Sequence, residues 1–121
     1  CDEFIRLSST VQIVSRVAQV DLSIGGVAIP KGETVVVFLP AANHDPAVYS
    51  CPHVALTDRA PHIAFGAGRH LCVGMPLSRS VTAIALKQLA EIGTICEAPG
   101  REMDGGRNTR KLKHLPVKVE N

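Results

Sequence analysis

The period of the apolar positions changes repeatedly along the 121-residue chain, and each change predicts an element. Phe4, Ile5 and Leu7 precede the polar run Ser8-Ser9-Thr10, which reads as the end of a helix over residues 2 to about 8. Val11 to Val20 is rich in β-branched residues and predicts extended chain. Gly25-Gly26 offers a tight turn, Val27-Ala28-Ile29 a short strand, and Pro30-Lys31-Gly32 a second turn. Val35-Val36-Val37-Phe38-Leu39 predicts a strand buried on both faces and completes a small β-meander. Ala41 to His44 predicts one helical turn, stopped by Asp45-Pro46. Residues 46–64 carry Pro46, Pro52 and Pro61 and no period, so they predict a long irregular loop. Loops beyond about 12–15 residues are usually functional or disordered, and this one leads straight into the Gly-rich segment 65–74. From Pro76, suited to a first helical turn, Leu77, Val81, Ile84, Ala85, Leu89 and Ile92 follow helical spacing up to Gly93. Ile95-Cys96 and Leu115-Pro116-Val117-Lys118-Val119 predict a terminal hairpin, with a loop over Pro99 to Arg110 between them. The predicted class is α+β, without internal repeats.

Composition refines this picture. A chain 45% hydrophobic and 20% charged is globular, and its length suits one domain. With 3% aromatic residues and no Trp, the expected core is Val, Ile, Leu and Ala, and it is expected to be thin. The opening Cys1-Asp2-Glu3-Phe4-Ile5-Arg6, without a Met, reads as the middle of something, so a fragment or processed product is expected. A net charge of +2 is too mild to imply a nucleic-acid partner. The basic residues Arg107, Arg110, Lys111 and Lys113 read as a solvated edge. No apolar run reaches the about 18 residues needed to span a membrane, and no signal-like start is present. The cysteines, Cys1, Cys51, Cys72 and Cys96, lie far apart without a C-x-x-C pair, which argues against a zinc site. The aliphatic content favours reduced thiols over a disulfide framework, and hence a cytoplasmic location.

The segment Phe65-Gly66-Ala67-Gly68-Arg69-His70-Leu71-Cys72-Val73-Gly74 carries the chemistry. It is a glycine-punctuated loop running into the helix that starts near Pro76. Glycines admit backbone conformations and close approaches that a Cβ forbids. Its cysteine lies where free N–H groups and the positive end of the helix dipole point, a setting that favours a thiolate. Such a cysteine can be a nucleophile, a redox sensor, a metal ligand or simply a small buried residue. His70 alone reads as a surface histidine.

The segment matches the haem-binding signature F-G-x-G-x-H-x-C-x-G of cytochrome P-450 monooxygenases at every fixed position, and the chain resembles the soluble bacterial members of that family. The resemblance implies that Cys72 is the proximal thiolate ligand to iron, the metal-binding and catalytic position. In the family that thiolate pushes electron density through the iron and favours O–O cleavage. Phe65 would pack on the proximal side of haem b (iron protoporphyrin IX), with Gly66, Gly68 and Gly74 shaping the cofactor-binding loop. His70 would reach a haem propionate, and N–H groups near Val73 and Gly74 would hydrogen-bond the sulfur. Arg16, in Ser15-Arg16-Val17-Ala18, aligns with a propionate-binding arginine, although a strand-edge arginine facing water is the bland reading.

Glu3-Phe4-Ile5-Arg6 resembles the family's E-x-x-R element, whose i, i+3 spacing puts Glu3 and Arg6 on one helix face. In the family the pair is buried and locks the cysteine loop. A third basic member is expected from the preceding irregular loop, where His53 and Arg59 are the candidates and the usual R-F-D pattern is absent. Ala42-Asn43-His44-Asp45-Pro46 is similar to the family's A-N-R-D-P, with His44 in place of Arg, and Leu77-Ser78-Arg79 to its L-A-R. Val14 and Val17 read as core packing, with a substrate pocket as the alternative. The resemblance spans essentially the whole chain, but only the last quarter to third of a full member; the N-terminal and distal helices are outside it.

Three functions are therefore weighed. The first is the haem-ligating C-terminal portion of a monooxygenase, with residues 1–121 as part of one domain. It would act on a small organic substrate and take electrons from a ferredoxin or reductase on the proximal face. The second is a haem-binding chain without oxygen activation. The third is a haem-free chain stabilised as a homo-oligomer through its uncovered apolar surface.

Overall fold

The computed structural model describes residues 1–56, 61–106 and 108–120. Arg59 and Arg107 lie outside the described residues. Helix α1 spans Asp2–Ser8 and ends at Ser9, whose left-handed backbone (φ 35°) lets its N–H donate to the Ile5 carbonyl. Strand β1 (Ile13–Val17) pairs antiparallel with β4 (Thr34–Phe38), running from Ile13 opposite Phe38 to Val17 opposite Thr34. Between them β2 (Leu22–Ile24) and β3 (Val27–Ile29) form a hairpin turned at Gly25-Gly26. The expected meander is thus a nested arrangement, because the turn at Gly32 returns the chain to β1: Gly32 N–H donates to Ala18 O, and Ala18 N–H to Glu33 O.

Helix α2 (Leu39–Asn43) follows β4 directly. Residues 44–67 hold no strand or helix among those described, and a single 3-10 turn at Gly68–His70 leads to Cys72. Helix α3 spans Met75–Ile92, with Pro76 in its first turn and Gly93 just past its end. Strand β5 (Thr94–Glu97) then pairs with the last strand, β8 (Val117–Glu120). Inside that pair, where a loop is expected over 99–110, β6 (Glu102–Asp104) pairs with β7 (Lys111–His114). The hairpin is so short that the alternation in each strand shows a single apolar residue, Met103 in β6 and Leu112 in β7, which pair across it. Its cross-strand ion pairs are Lys111–Asp104 (3.0 Å) and Lys113–Glu102 (2.9 Å).

The interior also departs from the expectation. Among the described residues the buried apolar side chains are Ala18, Leu39 and Tyr49, and no Val or Ile joins them. Arg6, Ser9 and Asn43 are the largest side chains that are fully buried. Strand β4 is not covered on both faces: Val36 and Phe38 are exposed, because among the described residues β4 pairs with β1 alone, in a two-stranded sheet that supplies no second layer. Val17 is exposed as well, and α3 buries no residue, with Leu77, Val81 and Ile84 all in contact with solvent. No helix among the described residues is long and apolar enough to cross a membrane.

Candidate functional site

The chain places Cys72 in the wall of a cleft of about 470 Å³ between α1, β1 and the start of α3. Ile5, Val11, Val14, Leu39 and Ala64 supply apolar surface. Phe65, Gly66 and His70 line the same cleft from the loop, and Arg16 lines it from β1. Arg16 and Val14 reach one face together because strand side chains alternate with a period of two; Val17, at the opposite parity, does not line it. Arg16 Nη1 also donates to the Ser15 carbonyl (2.8 Å).

Local geometry explains the loop's residue types. Gly66 (φ 73°) and Gly68 (φ 67°) hold left-handed conformations that a side chain disfavours. The Gly66 N–H donates to Ile63 O (2.8 Å) and the Cys72 N–H to Phe65 O (3.0 Å), so the loop folds back on itself and presents the cysteine. Gly74 caps α3, and a Cβ there would stand 3.7 Å from Cys72 Sγ. Cys72 is exposed and carries a free thiol. Among the described residues no hydrogen bond reaches its sulfur, and Val73 is almost wholly solvent-exposed.

Beneath the loop lies a polar knot. Glu3 and Arg6, one helical turn apart on α1, form a two-point ion pair, Nε to Oε1 at 2.7 Å and Nη2 to Oε2 at 2.9 Å. Nη1 of Arg6 donates to the carbonyls of Asn43 (2.7 Å) and Pro52 (2.8 Å), and Nη2 to that of Val54 (3.3 Å). The hydrogen bond with Glu3 raises the Arg6 pKa above its ordinary value, against the desolvation that lowers it. The Leu56 N–H donates to Glu3 Oε2 (3.2 Å), so both members of the pair reach the irregular loop. His53 stands differently from the expectation. The loop turns its neighbours' carbonyls toward Arg6, and its own exposed ring stacks on His44, centroids 5.0 Å apart.

Residues without a sequence-derived role complete the knot. Asn43 Nδ2 donates to Ser9 Oγ (2.8 Å), and the Ile63 N–H donates to Asn43 Oδ1 (2.9 Å). The buried Tyr49 lies under the Arg6 guanidinium (4.7 Å) and donates to Pro61 O (3.1 Å). A second tie runs from Asp2 to Arg79 Nε on α3 (2.8 Å). His62 sits beside it with its side chain 6% exposed and its ring 5.7 Å from that of Phe65. His62 Nδ1 accepts from the Ala64 N–H (3.2 Å), while Nε2, 3.8 Å from Asp2 Oδ1, has no hydrogen-bond partner. Burial pushes the His62 pKa down, partly opposed by Asp2. Asn43 stands in the family-like Ala42-Asn43-His44-Asp45-Pro46, but no spacing rule ties it to residues at sequence distances of 34 and 20.

The donor set suits a flat, largely apolar macrocycle with anionic substituents: one thiol, apolar walls, and a cation or imidazole at the polar positions. Comparison with known proteins agrees with that chemistry. The Cytochrome P450 family profile matches residues 1–90. Cytochrome P450 140 of Mycobacterium tuberculosis (strain ATCC 25618 / H37Rv) is 43% identical over 122 residues, covering 96% of this chain and 27% of that protein. The biotin biosynthesis cytochrome P450 of Bacillus subtilis (strain 168) is 40% identical over 92 residues, covering 74% of this chain and 23% of that one. Among solved structures, CYP109B1 from Bacillus subtilis superposes with a TM-score of 0.89 at 32% identity, covering 98% of this chain and 33% of that one. P450BioI, in complex with an acyl carrier protein ligated to hexadec-9Z-enoic acid, gives 0.88 at 36% identity, covering 98% and 32%. The chain itself is of mixed helix and strand. The chain belongs to the cytochrome P450 family, and it spans about a quarter of the length of the curated relatives it matches.

Proposed function

We propose that the cleft is a haem b pocket, that Cys72 is the thiolate ligand to its iron, and that residues 1–121 are the haem-ligating C-terminal portion of a monooxygenase domain. Bound haem would supply the iron at which O₂ is reduced and one oxygen atom is delivered to an organic substrate. The observation that carries this reading is that Arg16, distant in sequence on β1, lines the same largely apolar cleft as Phe65, His70 and Cys72 of the loop.

Cys72 presents its sulfur from a loop whose shape Gly66 and Gly68 set. Phe65 would pack against the haem on the cysteine's side, and the absence of a side chain at Gly74 leaves room beside the sulfur. Arg16 and His70 would hold the propionates, one by charge-assisted hydrogen bonds and the other through its ring N–H. The Glu3–Arg6 pair holds the irregular loop, and through it the segment that carries the cysteine. Cys1, Cys51 and Cys96 do not line the cleft, which favours haem held without thioether bonds. A ferredoxin or reductase would dock on the exposed outer side of the cysteine loop, where Leu71, Val73 and Leu77 face solvent. The free thiols favour a cytoplasmic setting.

The uncovered side chains of α3 favour a second reading, in which the chain binds haem or associates with copies of itself without turnover. The CO complex of the reduced, haem-loaded chain tests the assignment. We expect a thiolate-type red shift of the Soret band that Cys72→Ser abolishes and Cys96→Ser leaves intact. Equal behaviour of the two variants would overturn the ligand assignment. Turnover with an added ferredoxin–reductase system separates the monooxygenase from the non-catalytic reading.

A further inference from the structure

We infer that Asn43 is a positioning residue for the cysteine loop, coupling α1 to Cys72 through its side-chain amide; for the thiolate itself, this rests on the haem-ligand reading above. Asn43 is completely buried at the end of α2; its carbonyl and Nδ2 engage α1 and the cap of α1, and its Oδ1 engages the irregular loop. Its carbonyl accepts from Arg6 Nη1 on α1 (2.7 Å). Nδ2 donates to Ser9 Oγ (2.8 Å), whose own proton is given to Arg6 O (2.6 Å). Oδ1 accepts the Ile63 N–H (2.9 Å).

From Ile63 the connection continues without a break. Its carbonyl accepts the Gly66 N–H (2.8 Å), fixing the turn that carries Phe65, and the Phe65 carbonyl accepts the Cys72 N–H (3.0 Å). The Glu3–Arg6 pair reaches the irregular loop around residues 52–56, upstream of this turn. Asn43 is the link that reaches residue 63, where the descent to the cysteine begins.

The amide chemistry is specific. Ser9 Oγ has spent its proton on Arg6 O, so it needs a donor facing it, and the Ile63 N–H needs an acceptor. Asn offers both from one planar group. Asp keeps the acceptor for Ile63 and loses the donor, whereas Ala loses both. The side chain therefore acts on the sulfur's position without touching the cleft, since Asn43 is not among its lining residues.

The test uses the full chain and two readouts. In the haem-free protein, amide hydrogen exchange is followed at Ile63, Gly66 and Cys72, with the β5–β8 amides as an internal reference. Asn43→Ala is expected to speed exchange at those three amides by about tenfold or more while leaving the reference unchanged, and Asn43→Asp to recover most of the protection. After haem loading, Asn43→Ala is expected to lower the fraction of thiolate-type CO complex by about half or more, again with recovery in Asn43→Asp. Unchanged exchange at the three amides, or a uniform rise that includes the reference, overturns the proposal. If Asn43→Ala does not fold, Ser9→Ala removes the acceptor of Nδ2, together with the bond to Arg6 O, and leaves the Oδ1 bond to Ile63 in place. It should speed the same three amides by about threefold, and no change there is equally fatal. A wild-type chain without a thiolate spectrum defeats the haem-ligand reading instead, and leaves the exchange result to decide the role of Asn43 in the loop.

Discussion

His62 shows how a side chain outside the cleft bears on the cysteine loop. Its ring packs beside Phe65, its Nδ1 takes the Ala64 N–H, and burial holds its pKa below the ordinary value. The unfolded chain therefore binds the proton first as the pH falls, so the folded state loses stability below about pH 6.5 and down through the folded pKa. Above that window His62 contributes no such penalty. We predict that His62→Asn, whose Oδ1 can still accept from Ala64, flattens this acid-side loss, as measured by urea midpoints across the pH range. Equal slopes in the two proteins would exclude His62 as the titrating group. The residues of the motif, from Phe65 to Gly74, could be read from sequence because their spacing is local. Asn43, Tyr49 and His62 could not, because each gains its role from a hydrogen bond or ring contact made only after the loop folds over α1.

Among the elements, α1 is the clearest case of a short helix given meaning by what it binds. Seven residues are too few for a stable isolated helix. Arg6, with no solvent exposure, instead joins Glu3 to the carbonyls of Asn43, Pro52 and Val54. Arg6→Met is predicted to lower the unfolding free energy by about 3–5 kcal/mol, the range for breaking one side of a buried pair. Chemical denaturation would show this; a loss within the range of an exposed pair, below about 1 kcal/mol, would mean that the pair does not hold the loop. The resemblance to the family's E-x-x-R element made the pair legible, since i, i+3 pairs abound on exposed helices, and the periodicity from Leu77 to Ile92 made α3 legible. Strand β6 was not legible because Glu102-Met103-Asp104 is held by cross-strand charges with Lys113 and Lys111. The valines of β4 predict a strand, but a run of apolar residues cannot report whether a second layer exists to cover them.

Across the whole molecule, the side chains sealed most completely among the described residues are polar, and most of the large aliphatic ones are open to solvent. Arg6, Ser9 and Asn43 are sealed, whereas Ile84, Leu77 and Phe38 face solvent. A buried polar cluster contributes conformational specificity only when its members are satisfied, and this one is nearly complete in its hydrogen bonds. It lies next to the loop that presents Cys72, which places the most sharply specified geometry of the chain beside its proposed chemistry. The composition foretold a thin core, yet not that the sealed side chains would be polar, because sequence patterns register apolar periodicity and not long-range amide pairing. X-ray absorption at the iron edge of the haem-loaded chain tests the central claim most directly. The account predicts an iron–sulfur bond in the wild type and in Cys96→Ser, and its loss in Cys72→Ser. A wild-type iron bound only by nitrogen and oxygen, or a sulfur ligand that survives in Cys72→Ser, would contradict it.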